Sequence, residues 1–216
     1  MTDPAAALLD SPALPHIVER LQKTLDDEAE RRARFRDEVT PEVKAEFING
    51  EVVMHSPARD QHTATVLRIT KLLDTYVQVH SLGIVRFEKA FVALTRNDYE
   101  PDVCFFGSAK AAQIERRTLE YPAPDLAVEV LSDSTAARDR GVKSEDYAAH
   151  GVAEYWIVDP EAETVEQYGV EDGAYVLRTK SARGPLDSFA VDGFSVPVRS
   201  LFDDAENLAA LRALLA

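Results

Sequence analysis

The chain is poor in cysteine. Cys104 stands alone among 216 residues, so no intrachain disulfide can form and nothing points to an oxidising compartment. No apolar run approaches the roughly 18–20 residues that cross a bilayer. The start, MTDPAAALLD, has no basic segment and is interrupted by Asp3 and Asp10, which is not the pattern of a signal peptide. The expected location is the cytoplasm, with no membrane partner. Positive charge is also scarce: 24 Lys and Arg against 38 Asp and Glu leave a net charge of −14, which argues against broad adhesion to nucleic acid or anionic lipid. A small cleft carrying a lysine or a bound metal ion could still serve a nucleic acid within an acidic protein. A glycine-rich loop of the kind that cradles nucleotide phosphates is missing as well, which disfavours a small-molecule phosphohydrolase.

What is present is an alternation of helical and extended segments. Residues 16–38 are charge-rich, with Ile17, Val18, Leu21, Leu25 and Phe35 on a loose helical period, and Pro41 marks the boundary. The interleaved charges of EAERRARFRDE suggest a solvated helix face. Asn49-Gly50 between β-prone runs predicts a hairpin pairing Ile48 with Glu51, Phe47 with Val52 and Glu46 with Val53. Ala45, Phe47, Val52 and Met54 would then share an apolar face. Residues 62–79 follow a helical period, with Gly83 as the stop. Strands are expected over 84–94 and 102–106, a helix over 109–119, and a strand over 125–131. A helix over 133–150 follows, then strands over 154–158, 164–168 and 174–179, and a terminal helix over 201–216. The reading is an α/β (α+β) domain with a mixed central sheet flanked by helices. Its organisation is an N-terminal helical extension (1–39), a main domain (40–200) and a C-terminal helix (201–216).

One strand contains an anomaly. DLAVEVLS, residues 125–132, is apolar and β-branched, yet Glu129 sits at its centre. A buried carboxylate costs several kcal/mol unless it is paired, protonated or bound to a metal. Asp125 shares its face but lies about 13 Å away at 3.3 Å per residue, too far to share an ion. Asp102, at the start of another strand after Pro101, is a better partner, because Mg²⁺ takes one or two carboxylates plus water and phosphate. Lys143, on the following helix, could bring an ammonium to the same place. The plainer reading of Lys143 is an i,i+4 ion pair with Asp139. Tyr147, Tyr155, Trp156 and Cys104 read as core, and Ser132 and Ser134 as helix caps.

In order along the chain, AEFINGEVV, HSPARDQH, the Pro-Asp pair at 101–102, EVLSDST, DRGVK and EYWIVDP resemble the Uma-two restriction-endonuclease family of the PD-(D/E)xK nuclease superfamily, over about residues 40–200. The resemblance implies a restriction-endonuclease-like fold and a phosphodiesterase site using Mg²⁺ or Mn²⁺. By matched position, Glu46 would be the outer acid and Asp102 the aspartate of the Pro-Asp pair. Glu129 would be the second metal-binding acid, with the Val130 backbone carbonyl as a further ligand. The superfamily lysine two residues after the acid is replaced here by Leu131. Lys143 would take over its role, and His62 would be a substrate contact or a partner of Glu46; read from the residues alone, His62 serves equally as a cap or packing contact at a helix start, and Glu46 as the solvent side of its hairpin. The resemblance implies nucleic acid, DNA before RNA, as substrate, and offers the N-terminal extension as a homodimer interface. The competing expectation is a nuclease-like fold that has lost catalysis and serves as a binding or assembly module.

Overall fold

The computed structural model describes residues 6–40 and 42–216, so the boundary residue Pro41 lies outside them. A short helix α1 (Ala6–Leu9) precedes the long α2 (Leu14–Glu38). The first half of α2 leaves Val18, Leu21 and Leu25 exposed, while Phe35 is buried against Phe47 and Phe91. The charges of the second half are not simply solvated. Arg32 and Arg36 both fork onto the fully buried Asp98, at 2.6 and 2.7 Å, and Glu28 pairs with Arg96 at 2.7 Å. A buried carboxylate needs donors, and these arginines supply them.

The hairpin of β1 (Ala45–Ile48) and β2 (Glu51–Met54) has the register read from the sequence. Asn49 and Gly50 both take positive φ, 49° and 86°, as a two-residue hairpin turn requires. A side chain at Gly50 would also collide with Glu28 and Arg31 of α2. The expected apolar face is only half covered: Ala45 and Phe47 are buried beside Phe35, whereas Val52 and Met54 on the outer strand stay exposed.

Helix α3 (Asp60–His80) ends in a left-handed residue, Ser81 (φ 55°), so Ser81 and not Gly83 makes the stop. Gly83 begins β3 (Gly83–Phe87), where a Cβ would meet the Phe106 carbonyl oxygen at 2.1 Å. The single strand expected over 84–94 is divided into β3 and β4 (Phe91–Ala93), because Glu88 turns the chain with φ 59°. Then come β5 (Asp98–Tyr99), β6 (Val103–Gly107) and α4 (Ser108–Ala111). The helix expected over 109–119 stops at Ala111. Beyond it only Ile114 finds apolar cover, and Leu119 is exposed, so the segment lacks the buried face a short helix needs.

Strand β7 (Glu120–Tyr121) and β8 (Leu126–Val130) follow. The expected helix over 133–150 is two, α5 (Ala136–Arg140) and α6 (Val142–Ala149). They are separated at Gly141, where a Cβ would come within 2.9 Å of the Ala137 carbonyl oxygen. The chain closes with β9 (Glu154–Asp159), the hairpin β10 (Thr164–Glu171) and β11 (Ala174–Ser181), the pair β12 (Pro185–Asp187) and β13 (Ser195–Pro197), a 3-10 turn over Val198–Leu201, and α7 (Asp204–Leu214).

These strands make two main mixed sheets, ordered β11-β10-β9-β8-β6-β3 and β2-β1-β5-β4-β7. Strands β8 and β9 run parallel and are joined through α5 and α6, the crossover that parallel neighbours require. Alternation along β8 divides the core. Leu126, Val128 and Val130 pack with Val66, Ile69, Leu72, Leu73 and Val77 of α3, each such side chain worth about 1.5–3 kcal/mol. Ala127 and Leu131 point the other way, toward Tyr147, Tyr155 and the Val92–Tyr99 side of the second sheet. Glu129 shares that second face. It therefore lies between the two sheets.

Candidate active site

Antiparallel β6 and β8 pair Val103 with Val128 and Cys104 with Ala127, so one more step of the register sets Asp102 opposite Glu129. The Val130 N–H donates to Asp102 Oδ2 at 2.8 Å, fixing that carboxylate beside the end of β8. Cys104 is buried one pleat away as a core residue. Glu129 Oε1 accepts from Lys143 Nζ and from the Tyr147 hydroxyl, each at 3.1 Å. Lys143 and Tyr147 are four residues apart, hence on one face of α6.

Glu46 of β1 reaches the same cluster from the other sheet. It is fully buried, its Oε1 lies 2.9 Å from Lys143 Nζ and accepts the Glu100 N–H, and its Oε2 lies 3.1 Å from His55 Nε2. The His55 contact is close but poorly aligned, so both atoms remain without a hydrogen bond. The Asp139–Lys143 ion pair read from sequence exists at 3.3 Å, though as a buried member of this cluster and not a surface pair. Among the described residues, Asp139 has no hydrogen-bond partner for either carboxylate oxygen.

The matched residues thus converge, but in two layers. Glu46 and Lys143 are internal. Asp102, Glu129, Val130 and His62 line an open cleft of about 840 Å³ with Lys44, Glu88 and Ser132–Thr135. His62, from the first turn of α3, sets Nε2 3.5 Å from Asp102 Oδ1, while its buried Nδ1 has no hydrogen-bond partner among the described residues. Lys44 Nζ lies 2.7 Å from Asp102 Oδ1 and 3.2 Å from Glu88 Oε2. Among the described residues, His62, Glu88 and Asp102 form the group whose ligand atoms all lie within 4.8 Å of one another.

The electrostatics follow from burial and excess negative charge. Burial pushes the Glu129 carboxyl well above its ordinary value; Lys143 opposes this, and the charges of Asp139, Asp102 and Glu46 add to it. Asp139 is raised for the same reasons. For Glu46 burial is outweighed by Lys143 and His55, which bring it down to about 2. Asp102 is held low against burial by His62 and Lys44. Burial lowers and Asp102 raises the proton affinity of His62, with a net increase. Carboxylates outnumber cations here, and several buried polar atoms lack partners. That donor set of carboxylate oxygens and one imidazole suits a hard divalent cation.

Sequence reasoning missed Lys44, Glu88 and His55, and read Tyr147 as core only. HSPARDQH displays His55, but nothing in its spacing ties it to Glu46. Glu88 is revealed by its left-handed backbone, a strained conformation of the kind that gathers at functional sites.

The family model described as "Putative restriction endonuclease" matches residues 28–199. The chain belongs to the Uma-two family. No curated protein matches it. The fold of this Uma-two protein is similar to the crystal structure, at 1.96 Å, of a "putative nuclease belonging to DUF820" from Anabaena variabilis. That match has a TM-score of 0.69 at 17% identity and covers 87% of this chain and 98% of the other. Among the described residues, no helix is long and apolar enough to cross a membrane.

Proposed function

We propose that this Uma-two protein is a cytoplasmic, metal-dependent endonuclease that hydrolyses phosphodiester bonds in nucleic acid, DNA in preference to RNA. The observation that carries the reading is Asp102 and Glu129, carried by neighbouring strands and both lining one open cleft, in a chain of this family. Asp102 and Glu129, with the Val130 carbonyl, would hold Mg²⁺ or Mn²⁺, and His62 and Glu88 extend the donor set. When bound, such an ion polarises a phosphoryl oxygen and makes a water molecule more acidic.

The remaining work falls to the chain. The Val130 N–H aims Asp102, and Lys143 and Tyr147 hold Glu129 in one rotamer. Glu46, held ionised by Lys143 and His55, anchors that lysine from the opposite sheet. His62, on the cleft wall, is placed to touch substrate. A homodimer is part of the proposal, using the exposed Val18, Leu21 and Leu25 of α2.

Incubating the protein with supercoiled plasmid, single-stranded DNA and RNA, each with Mg²⁺ or Mn²⁺, tests the reading. Metal-dependent nicking that an Asp102→Asn variant lacks is the expected result. Equal products from both proteins would refute it. The second reading, a binding module that keeps the fold without catalysis, draws on the burial of Lys143 and the net charge of −14. Nucleic-acid binding without any cleavage above the Asp102→Asn control would favour it.

A further inference from the structure

Two ammonium groups touch the acidic residues, and only one faces the cleft. Lys143 is 1% exposed, and its Nζ lies 2.9–3.3 Å from Glu46, Glu129 and Asp139. Three carboxylates surround this ammonium, and Glu129 Oε1 accepts a hydrogen bond from it. The Tyr99 ring closes over it at 5.8 Å from the centroid. Lys143 is absent from the residues that line the cleft. To meet a phosphate it would have to leave buried partners and strand their charges, which is costly in a dry interior.

Lys44 is placed differently. It stands just ahead of β1, lines the cleft, and keeps 19% of its side chain exposed. Its Nζ donates to Asp102 Oδ1 and Glu88 Oε2, which leaves a third N–H without an acceptor among the described residues. Those two residues also belong, with His62, to the group able to hold a metal. Lys44 is therefore the cation seated against that group. Arg59, also on the cleft wall, is paired with Asp133, and both are largely exposed.

Resting on the endonuclease reading, we propose that Lys44 is the catalytic lysine of this protein, and that Lys143 is a positioning residue. The Lys44 ammonium donates to a non-bridging oxygen of the scissile phosphate and offsets the charge that grows there. It transfers no proton. Lys143 acts through Glu129 and Glu46, as the internal counter-ion that keeps both in place. Lys44 and a divalent cation would draw on the same carboxylates, Asp102 and Glu88, and the open side of the Lys44 ammonium is the cleft. The lysine missing from position 131 is thus replaced by one from the loop ahead of β1, not by the one on the following helix.

The test uses the full chain as wild type, Lys44→Met and Lys44→Arg, with three readouts: thermal midpoint, Mn²⁺ titration by calorimetry, and cleavage of supercoiled plasmid with Mn²⁺. Lys44→Met should stay folded and bind Mn²⁺ about tenfold or more tightly, because a like charge beside Asp102 is gone. It should cleave about 100-fold or more slowly, since one donor to the developing charge is lost. Lys44→Arg should return Mn²⁺ affinity toward wild type and restore part of the cleavage. Wild-type cleavage with undiminished cleavage by Lys44→Met would overturn the assignment alone, as would Mn²⁺ affinity unchanged by Lys44→Met. Absence of cleavage by the wild type itself would overturn the endonuclease reading, and this assignment with it.

Discussion

Replacing Lys143 by methionine removes the ammonium that Glu46, Glu129 and Asp139 share, while nearly preserving the volume of the buried stem. The cost can be worked from Glu46. Lys143 and His55 hold it at about 2 against an ordinary value of 4.5, although burial pulls the other way. At about 1.4 kcal/mol per pH unit, that gap corresponds to about 3 kcal/mol of stabilisation from Lys143 and His55 together. Because Glu46 is fully buried, solvent screening does not reduce the figure. The same size follows from buried ion pairs in general, where deleting one partner costs about 3–5 kcal/mol. For a chain of this length, 3 kcal/mol corresponds to about 6–12 °C in Tm. The pH dependence has a definite sign. Glu46 is lowered in the fold, so its contribution is complete above pH 4.5 and disappears as the pH falls toward 2. Urea unfolding of wild type and Lys143→Met should therefore differ most at neutral pH and converge in acid. A difference below about 1 kcal/mol at pH 7, or one that does not narrow in acid, would refute the internal counter-ion argument.

Two further outcomes lie away from the cleft. Asp98→Ala leaves Arg32 and Arg36 without the carboxylate that anchors α2, and should destabilise the protein by about 2–4 kcal/mol while making residues 14–38 open to limited proteolysis; unchanged protease resistance would count against that anchor. Glu166 is held at about 2, against burial, by Arg140, Lys180 and Tyr168, so it stabilises the fold above pH 4.5 and loses that effect as the pH falls toward 2. Glu166→Gln should flatten the acid limb of stability against pH, as followed by circular dichroism, and an unaltered limb would show that these contacts contribute nothing.

The parts of the fold governed by local rules were legible. Asn49-Gly50 dictates its hairpin because few other pairs accept two positive φ angles, and the helical period over 62–79 has to bury its apolar face somewhere. The elements that deviated depend on tertiary cover or on one backbone angle. Residues 109–119 have helical composition but little to pack against. Gly141 looks tolerable within a helix until its dihedral angles are known, and Glu88 gives no sign in sequence that it will break a strand. In the site, Glu129 announced itself because a carboxylate in an apolar strand must be compensated. The burial of Glu46 and Lys143 was not legible, since hairpin alternation leaves open which face is covered. Lys44 and Glu88 carry no pattern at all. They reach Asp102 through a loop ahead of one strand and a kink after another, and only the folded chain brings them together.

The central claim is that the Asp102 carboxylate and its neighbours hold a divalent cation in the cleft. Crystals of the full chain soaked in Mn²⁺, with anomalous diffraction recorded at the manganese edge, test this most directly. An anomalous peak bonded to Asp102 is the expected result. A saturated soak with no peak at Asp102, or with manganese bound only elsewhere on this acidic surface, would contradict it.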